Sequence, residues 1–251
     1  MNPEGVVALV AGGASGLGRA TADMLAANGA TVVVLDLERG LERGHVGDDL
    51  NPVAGDVRDE DDVEAAIARA ESLGDFRVCV NCAGIGDPAV TAREGVPLSL
   101  DRFVRVVEVN LIGTFNVSRL AAASMQRTLE PVDGERGVIV NTASVAAYEG
   151  QIGQISYAAS KGGIASMSLV LARDLARSLI RCVTIAPGIF DTPLLGELSE
   201  EVRQALGSSV PHPARLGRPE EYAQLVLQIV ENQMLNGDVI RLDGALRMAP
   251  R

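Results

Sequence analysis

Hydrophobic and polar positions alternate along the chain between two patterns. Short runs of consecutive aliphatic residues read as strands buried on both faces: VVALVAG at 6–12, TVVVLD at 31–36, VAGDV at 53–57, RVCVNCAG at 77–84, GVIVNTAS at 137–144, RCVTIAPG at 181–188 and DVIRLDG at 238–244. Between them lie stretches whose apolar positions recur at helical spacing. These are 17–28, closed by Gly29; 59–73, whose acidic first turn suits a helix dipole; 99–126; 157–178; a short polar stretch at 197–206; and 220–231. This alternation, with no linker, repeat or low-complexity tract, predicts one α/β domain over 1–251. The expected architecture is a doubly wound parallel sheet with helices on both faces and right-handed crossovers.

Two polar stretches punctuated by Pro and Gly, 84–99 and 127–137, break the rhythm and read as surface insertions. The first follows the carboxyl end of a strand, where open α/β sheets bind ligands. The second precedes a strand and is expected at an outer edge, away from any chemistry.

Composition narrows the function classes. Aromatic residues make up only 3% of the 251 positions and tryptophan is absent, so the core is expected to be Val, Ile, Leu and Ala. A net charge of −11 disfavours nucleic-acid and anionic-membrane partners, which call for a basic surface. Three cysteines, and a first strand too early to leave room for a leader, point to a reducing, cytoplasmic location. Cys79 and Cys82 spell C-x-x-C, but on a strand residues three apart face opposite ways, so buried thiols are expected rather than a disulfide or a metal site. His45 and His212 are isolated, and no metal is expected.

The first strand runs into AGGASGLG, which places Gly12, Gly16 and Gly18 in a G-x-x-x-G-x-G spacing. Such a turn can bring a helix N-terminus to a ligand's phosphates, or can be purely structural. The helix that follows and the acid ending the next strand, Asp36, favour a dinucleotide. A carboxylate there accepts both hydroxyls of an adenosine ribose and repels a 2′-phosphate, which favours NAD over NADP, although Arg39 lies near. Asp56 and Val57 either flank the adenine, or Asp56 caps the next helix; spacing alone does not choose.

Tyr157 and Lys161 stand one helical turn apart, and Lys161 is the chain's single lysine among many arginines. A nearby ammonium favours a phenolate, lowering a pKa that is ordinarily about 10. A compact ammonium also suits two ribose hydroxyls better than a planar fork does. Asn110, inside the apolar VVEVNLIG, needs hydrogen-bond partners if buried, which suggests a purpose.

AGGASGLG, NCAG at 81–84, Asn110, Ser144 within NTASVAA, YAASK and APG at 186–188 occur in order and at fitting separations. Over essentially the whole chain this resembles the short-chain dehydrogenase/reductase family, with its Rossmann-type fold. The segments VNLIGTFNVSRL, RGVIVNTASVAAYEGQIGQ, IAPGIFDTPLL and NGDVIRLDGALRM are similar, more narrowly, to the type 2 3-hydroxyacyl-CoA dehydrogenases, also called 17β-hydroxysteroid dehydrogenases type 10. That resemblance implies an NAD-dependent homotetramer acting on a secondary alcohol, a 3-hydroxyacyl-CoA first and hydroxysteroids second. It implies that Tyr157 is the general base, that Ser144 with Tyr157 holds the substrate oxygen, that Lys161 lowers the tyrosine pKa and holds the nicotinamide ribose, and that Asn110 anchors a relay water. Gly12, Ser15, Gly16, Leu17, Gly18, Asp36, Asp56, Val57, Cys82, Tyr157, Lys161, Phe190 and Thr192 match positions that contact the cofactor. Ala11 departs from the family's frequent Thr, Cys82 from its frequent Asn, and the loop 37–52 differs more. Residues 188–218, with apolar side chains between Leu194 and Leu206, are expected to form a lid over the substrate. Arg93 or Arg215 is a candidate for a basic rim facing CoA phosphates. The alternatives are an NADPH-dependent 3-oxoacyl reductase of fatty-acid synthesis and a non-catalytic nucleotide-bound scaffold.

Overall fold

Parallel strands covered on both faces must be apolar throughout, and the aliphatic runs pair in that way. In the computed structural model, which describes residues 1–128, 130–195 and 199–250, seven strands form one parallel sheet in the order β3-β2-β1-β4-β7-β8-β9. They are β1 (Val7–Ala11), β2 (Thr31–Asp36), β3 (Pro52–Ala54), β4 (Phe76–Asn81), β7 (Gly137–Thr142), β8 (Ile180–Pro187) and β9 (Val239–Leu242); β5 (Ala92–Arg93) and β6 (Val96–Pro97) form a separate hairpin. The order reverses at β1, whose Ala11 pairs with Leu35 on one side and Asn81 on the other. A crevice therefore opens beyond the carboxyl ends of β1 and β4, the place where such sheets take ligands.

Among the described residues eight α-helices are defined: α1 (Gly16–Ala27), α2 (Glu38–Gly44), α3 (Glu60–Leu73), α4 (Leu100–Val107), α5 (Gly113–Thr128), α6 (Ile155–Leu175), α7 (Glu200–Ser208) and α8 (Pro219–Glu231). On one face Val63, Ala66, Val117, Ala121, Met125 and Ala172 of α3, α5 and α6 pack on Leu9, Leu35 and Ile139. On the other, Ala22, Leu25, Val226 and Ile229 of α1 and α8 pack on Val10, Val34, Val140 and Ile185. Cys79 and Cys182 are buried in the first layer while Cys82 packs against the second, so the C-x-x-C pair faces opposite ways, as strand alternation requires.

Five local expectations are corrected. The stretch 99–126 is not one helix: a π-helical turn, Glu108–Ile112, separates α4 from α5, and hydrophobic periodicity alone does not reveal such a bulge. The strand expected at 53–57 ends at Ala54, so Asp56 and Val57 lie beyond it. The loop 37–52 contains α2 and a 3-10 turn, Asp48–Leu50. The helix expected at 157–178 begins two residues earlier and tightens to 3-10 geometry over Ala176–Ser178. The short helix expected at 197–206 is seen as α7 from Glu200, capped by Ser199, whose side chain accepts from the Val202 amide; residues 197 and 198 lie outside the described residues.

The insertion 84–99 carries the exposed β5–β6 hairpin and is tied down on both sides. Asp87 pairs with Arg102 of α4, and the Ala89 amide donates to the Gly153 carbonyl. The 127–137 insertion sits at the amino end of the sheet, opposite the crevice. There Glu135 accepts from Arg181, and Arg77 donates to the Glu130 carbonyl. Residue 129 of that stretch lies outside the described residues. Among the described residues no helix is long and apolar enough to cross a membrane, and no cluster of His, Cys, Asp or Glu is placed to hold a metal ion.

Candidate active site

The turn after β1 depends on glycine at three positions. Gly12 has φ 76° and Gly16 φ 53°, in the left-handed region. A Cβ on Gly12 would collide with the Ala83 main chain, and one on Gly18 with the Gly12 carbonyl. The turn therefore closes tightly on the end of β4. Ser15 is the N-cap of α1 in extended conformation, yet its side chain makes no capping hydrogen bond, so the first amides of α1 and the positive end of its dipole face the crevice. This cradle fits a pyrophosphate. Leu17 follows in the first turn of α1, and Thr192 stands 3.3 Å from where a Gly16 Cβ would be.

Asp36 closes β2 with its carboxylate fixed by main-chain donors. Oδ2 accepts from the Ala14 amide at 3.0 Å and Oδ1 from the Leu37 amide at 2.8 Å. Gly40 of α2 leaves room beside that carboxylate that a Cβ would fill. Arg39, one residue before, is exposed on α2. The two possibilities for Asp56 are decided against capping. The N-cap of α3 is Asp59, which accepts from the amides of Asp61 and Asp62. Asp56 instead binds Arg58, whose Nη2 lies 2.5 Å away and lowers the Asp56 pKa.

The catalytic candidates converge at the carboxyl ends of β4 and β7. Ser144 begins a 3-10 turn, Val145–Ala147, its Oγ accepting from the Ala146 amide at 3.1 Å. Tyr157 and Lys161 project from the first turns of α6, with Lys161 Nζ 5.7 Å from the centre of the tyrosine ring. Lys161 is buried at 3% exposure and donates to the Thr142 carbonyl at 2.7 Å. Burial pushes its pKa down to about 8, against an opposing pull from Cys82. Burial raises the Tyr157 phenol and the Ser144 hydroxyl draws it back. The expected lowering of the tyrosine pKa by Lys161 is not expressed in this arrangement. The ammonium is committed to the Thr142 carbonyl and lies over the ring, and desolvation outweighs it.

Asn110 is fully buried in the π turn and its amide is satisfied. Oδ1 accepts from the Ile85 amide at 2.8 Å, and Nδ2 donates to the Ile85 carbonyl and to Ser160 Oγ, both at 3.0 Å. Ser160 in turn donates to the Tyr157 carbonyl at 2.8 Å, which ties α6 to the π turn. Gly84 fits between the two sites: a Cβ there would stand 3.3 Å from Asn110 Oδ1 and 3.5 Å from Lys161 Nζ. Cys82 lies behind, its thiol 3.7 Å from the Tyr222 phenol and from Thr142 Oγ1. Phe190 also reaches this end of the sheet, but its ring is buried on Gly217, so only its main chain is free to face the crevice.

Sequence reasoning missed Thr142, Ser160, Ile85 and Tyr222, all of which position the catalytic candidates. Thr142 and Ser160 lie inside the quoted NTAS and YAASK segments. Ile85 and Tyr222 carried no signal, because their contacts span long stretches of chain.

Residues 6–203 match the model of the short chain dehydrogenase family. The chain is 53% identical to the 3-hydroxyacyl-CoA dehydrogenase type-2 of Bos taurus, covering 98% of this chain and 97% of the relative. Among solved structures it is similar to the 3-hydroxyacyl-CoA dehydrogenase type-2 of Mycobacterium avium, with TM-score 0.93, 41% identity and 98% of each chain covered. It is also similar to a 3-ketoacyl-(acyl-carrier-protein) reductase of Brucella melitensis complexed with NADH, with TM-score 0.85, 32% identity, and 98% and 99% of the two chains covered. The glycine turn, the Ser144–Tyr157–Lys161 set and the match over most of its length agree: the chain belongs to the short chain dehydrogenase family of oxidoreductases.

Proposed function

We propose that the protein is an NAD-dependent dehydrogenase that oxidises (S)-3-hydroxyacyl-CoA to 3-oxoacyl-CoA, with hydroxysteroid alcohols as a second substrate class. The observation that carries this reading is the convergence of Ser144, Tyr157 and Lys161 on a crevice whose other end holds the Asp36 carboxylate. The 3-hydroxyacyl-CoA dehydrogenase relative, similar over nearly its whole length, supports the substrate class.

Gly12, Ser15, Gly16, Leu17, Gly18 and Thr192 would hold the cofactor's phosphates, Asp36 the adenosine ribose, Asp56 and Val57 the adenine, and Cys82, Tyr157, Lys161 and Phe190 the nicotinamide half. Bound there, the nicotinamide supplies hydride acceptance. Tyr157 removes the alcohol proton and Ser144 holds the oxygen as it becomes a carbonyl. Lys161 keeps a positive charge beside the phenol and Asn110 fixes the wall behind it. The segment 188–218 serves as the lid: Arg203 of α7 pairs with Asp191, and Leu194 and Val202 are exposed; residues 196–198 of it lie outside the described residues. For the basic rim, Arg215 is taken by Glu221, whereas Arg93 has no ion-pair partner among the described residues, which favours Arg93. Exposed Leu100 and Val104 on α4, Ile112 at the end of the π turn and Phe115 on α5 support a homotetramer. The acidic charge disfavours nucleic-acid partners, and the free thiols Cys79, Cys82 and Cys182 support a reducing compartment such as the cytoplasm.

Initial rates with NAD across 3-hydroxyacyl-CoAs and hydroxysteroids test the reading; turnover of no acyl-CoA would overturn the substrate class. The NADPH-dependent reductase alternative is tested at Asp36. Asp36→Ala is expected to raise KM for NAD about tenfold or more while leaving NADP no worse, since one carboxylate both binds the ribose and repels the phosphate. A wild-type preference for NADP would remove this argument.

A further inference from the structure

The loop after β3 has an accounting of main-chain donors that singles out one position. The Gly55 amide donates to the Asp36 carbonyl, the Asp56 amide to Asp62 Oδ2, the Arg58 amide to Asp56 Oδ1 and the Asp59 amide to the Asp56 carbonyl. Among the described residues only the Val57 amide of this loop has no acceptor. A main-chain donor without a protein partner in a tight, otherwise satisfied loop is free to meet water or a ligand.

What holds that amide is α5. Asn116 is buried at 6% exposure, and its Nδ2 donates to the Val57 carbonyl at 3.0 Å and to the Asp59 carbonyl at 3.3 Å, across almost sixty residues of sequence. Its own Oδ1 is held by Arg119 Nη2 at 2.7 Å, which fixes the amide's orientation, and Arg119 is in turn paired with Glu60 at 2.9 Å. One turn earlier, Gly113 leaves room for the Val57 side chain; a Cβ there would collide with it. Arg58, besides holding Asp56, reaches Glu108 at 3.7 Å in the π turn that bears Asn110.

We propose that Asn116 is a positioning residue for the adenine end of the cofactor: it sets the main chain of Val57 so that its amide meets the base, and does so from the helix that begins at the catalytic π turn. The inference rests on the dinucleotide reading above. The side chain of Asn116 bonds to the 57–59 loop and to Arg119 and to none of Ser144, Tyr157 and Lys161, so it acts on adenine binding and not on hydride transfer.

The test is calorimetric titration of the full chain with ADP-ribose, which carries the adenine, and with nicotinamide mononucleotide, which does not. Asn116→Asp keeps the shape and the acceptor for Arg119 but loses both donors; Asn116→Ala removes the side chain. Both are expected to weaken ADP-ribose about tenfold or more, a hydrogen-bonding loss, with nicotinamide mononucleotide within about twofold. KM for NAD rises with kcat at saturating NAD little changed. Arg119→Ala, which leaves the donors in place, is expected to retain most ADP-ribose affinity. Unchanged ADP-ribose affinity in Asn116→Asp, or an equal loss for both fragments, overturns the proposal, because a merely structural residue gives one or the other. If the wild-type protein binds neither fragment, the dinucleotide reading falls and this inference with it. If it binds ADP-ribose, with the loss confined to the Asn116 variants, yet oxidises no alcohol, the inference stands and only the catalytic reading falls.

Discussion

Tyr157→Phe is expected to lower kcat by about a thousandfold or more while leaving NAD affinity within about twofold. The change deletes one oxygen and keeps the ring, so the packing at the start of α6 and the seat of Lys161 above the ring are retained. What disappears is, among the described residues, the one group of the catalytic set placed to take the alcohol proton. Ser144 is a poor base, and its hydroxyl already accepts from the Ala146 amide. Lys161 is committed to the Thr142 carbonyl. In the free protein burial holds the phenol up, so the wild-type rate of alcohol oxidation is expected to rise with pH as the phenolate fraction grows. That limb should vanish in the phenylalanine variant. Steady-state kcat against pH for both proteins, with NAD affinity measured separately, checks each part. Near-normal turnover without the hydroxyl would take the proton-acceptor role away from Tyr157, whereas an in vivo role untouched by the change would favour the nucleotide-bound scaffold over an enzyme.

Much of this was legible in the chain because the physics is local. A parallel strand covered on both faces must be apolar throughout, and each of the seven aliphatic runs became a strand of the sheet. The glycines at 12, 16 and 18 were recognisable because a tight turn excludes side chains, and the packing of Gly12 on Ala83 and Gly18 on Gly12 gives the reason. Tyr157 and Lys161 needed only helical spacing. What the chain hid was either a backbone irregularity or a contact remote in sequence. The π turn keeps the same apolar positions as a helix, so nothing in periodicity marked Asn110 as its occupant. The Asp56 alternatives turned on Asp59, another acid three residues on and an equally good cap. Asn116 reads as one more polar residue on an amphipathic helix until its carbonyl partners, nearly sixty positions away, are seen. Tyr222, from α8, joins Thr142 at 2.7 Å in the same way.

Lys161 is where activity and stability are expected to part. Lys161→Arg should lose about a hundredfold or more in kcat while remaining folded: the broader guanidinium has to enter a site bounded by the Thr142 carbonyl and Gly84, and overfilling a packed site displaces its neighbours. Lys161→Met should also be inactive, yet more stable than the wild type at neutral pH. The lysine's ordinary pKa of 10.5 falls to about 8 on burial. Below about pH 8 the folded protein carries a charge it holds at a disadvantage, and the destabilisation is fully present. Between about 8 and 10.5 the unfolded chain binds more protons than the folded one, so wild-type stability regains this loss as pH rises. The shift amounts to roughly 3 kcal/mol, offset by roughly 1 kcal/mol for the hydrogen bond to Thr142 that methionine cannot make. The advantage of Lys161→Met is therefore expected to be about 2 kcal/mol near pH 7 and to fade, then reverse, towards pH 10.5. Cys79, Cys82 and Cys182 also titrate with raised pKa values and pull the other way, but they are present in both proteins and largely cancel in the difference. Denaturant unfolding of the two proteins across that pH range measures it. A difference that does not change with pH would mean that the lysine is held without cost, and that its burial is not what sets it apart from the chain's arginines.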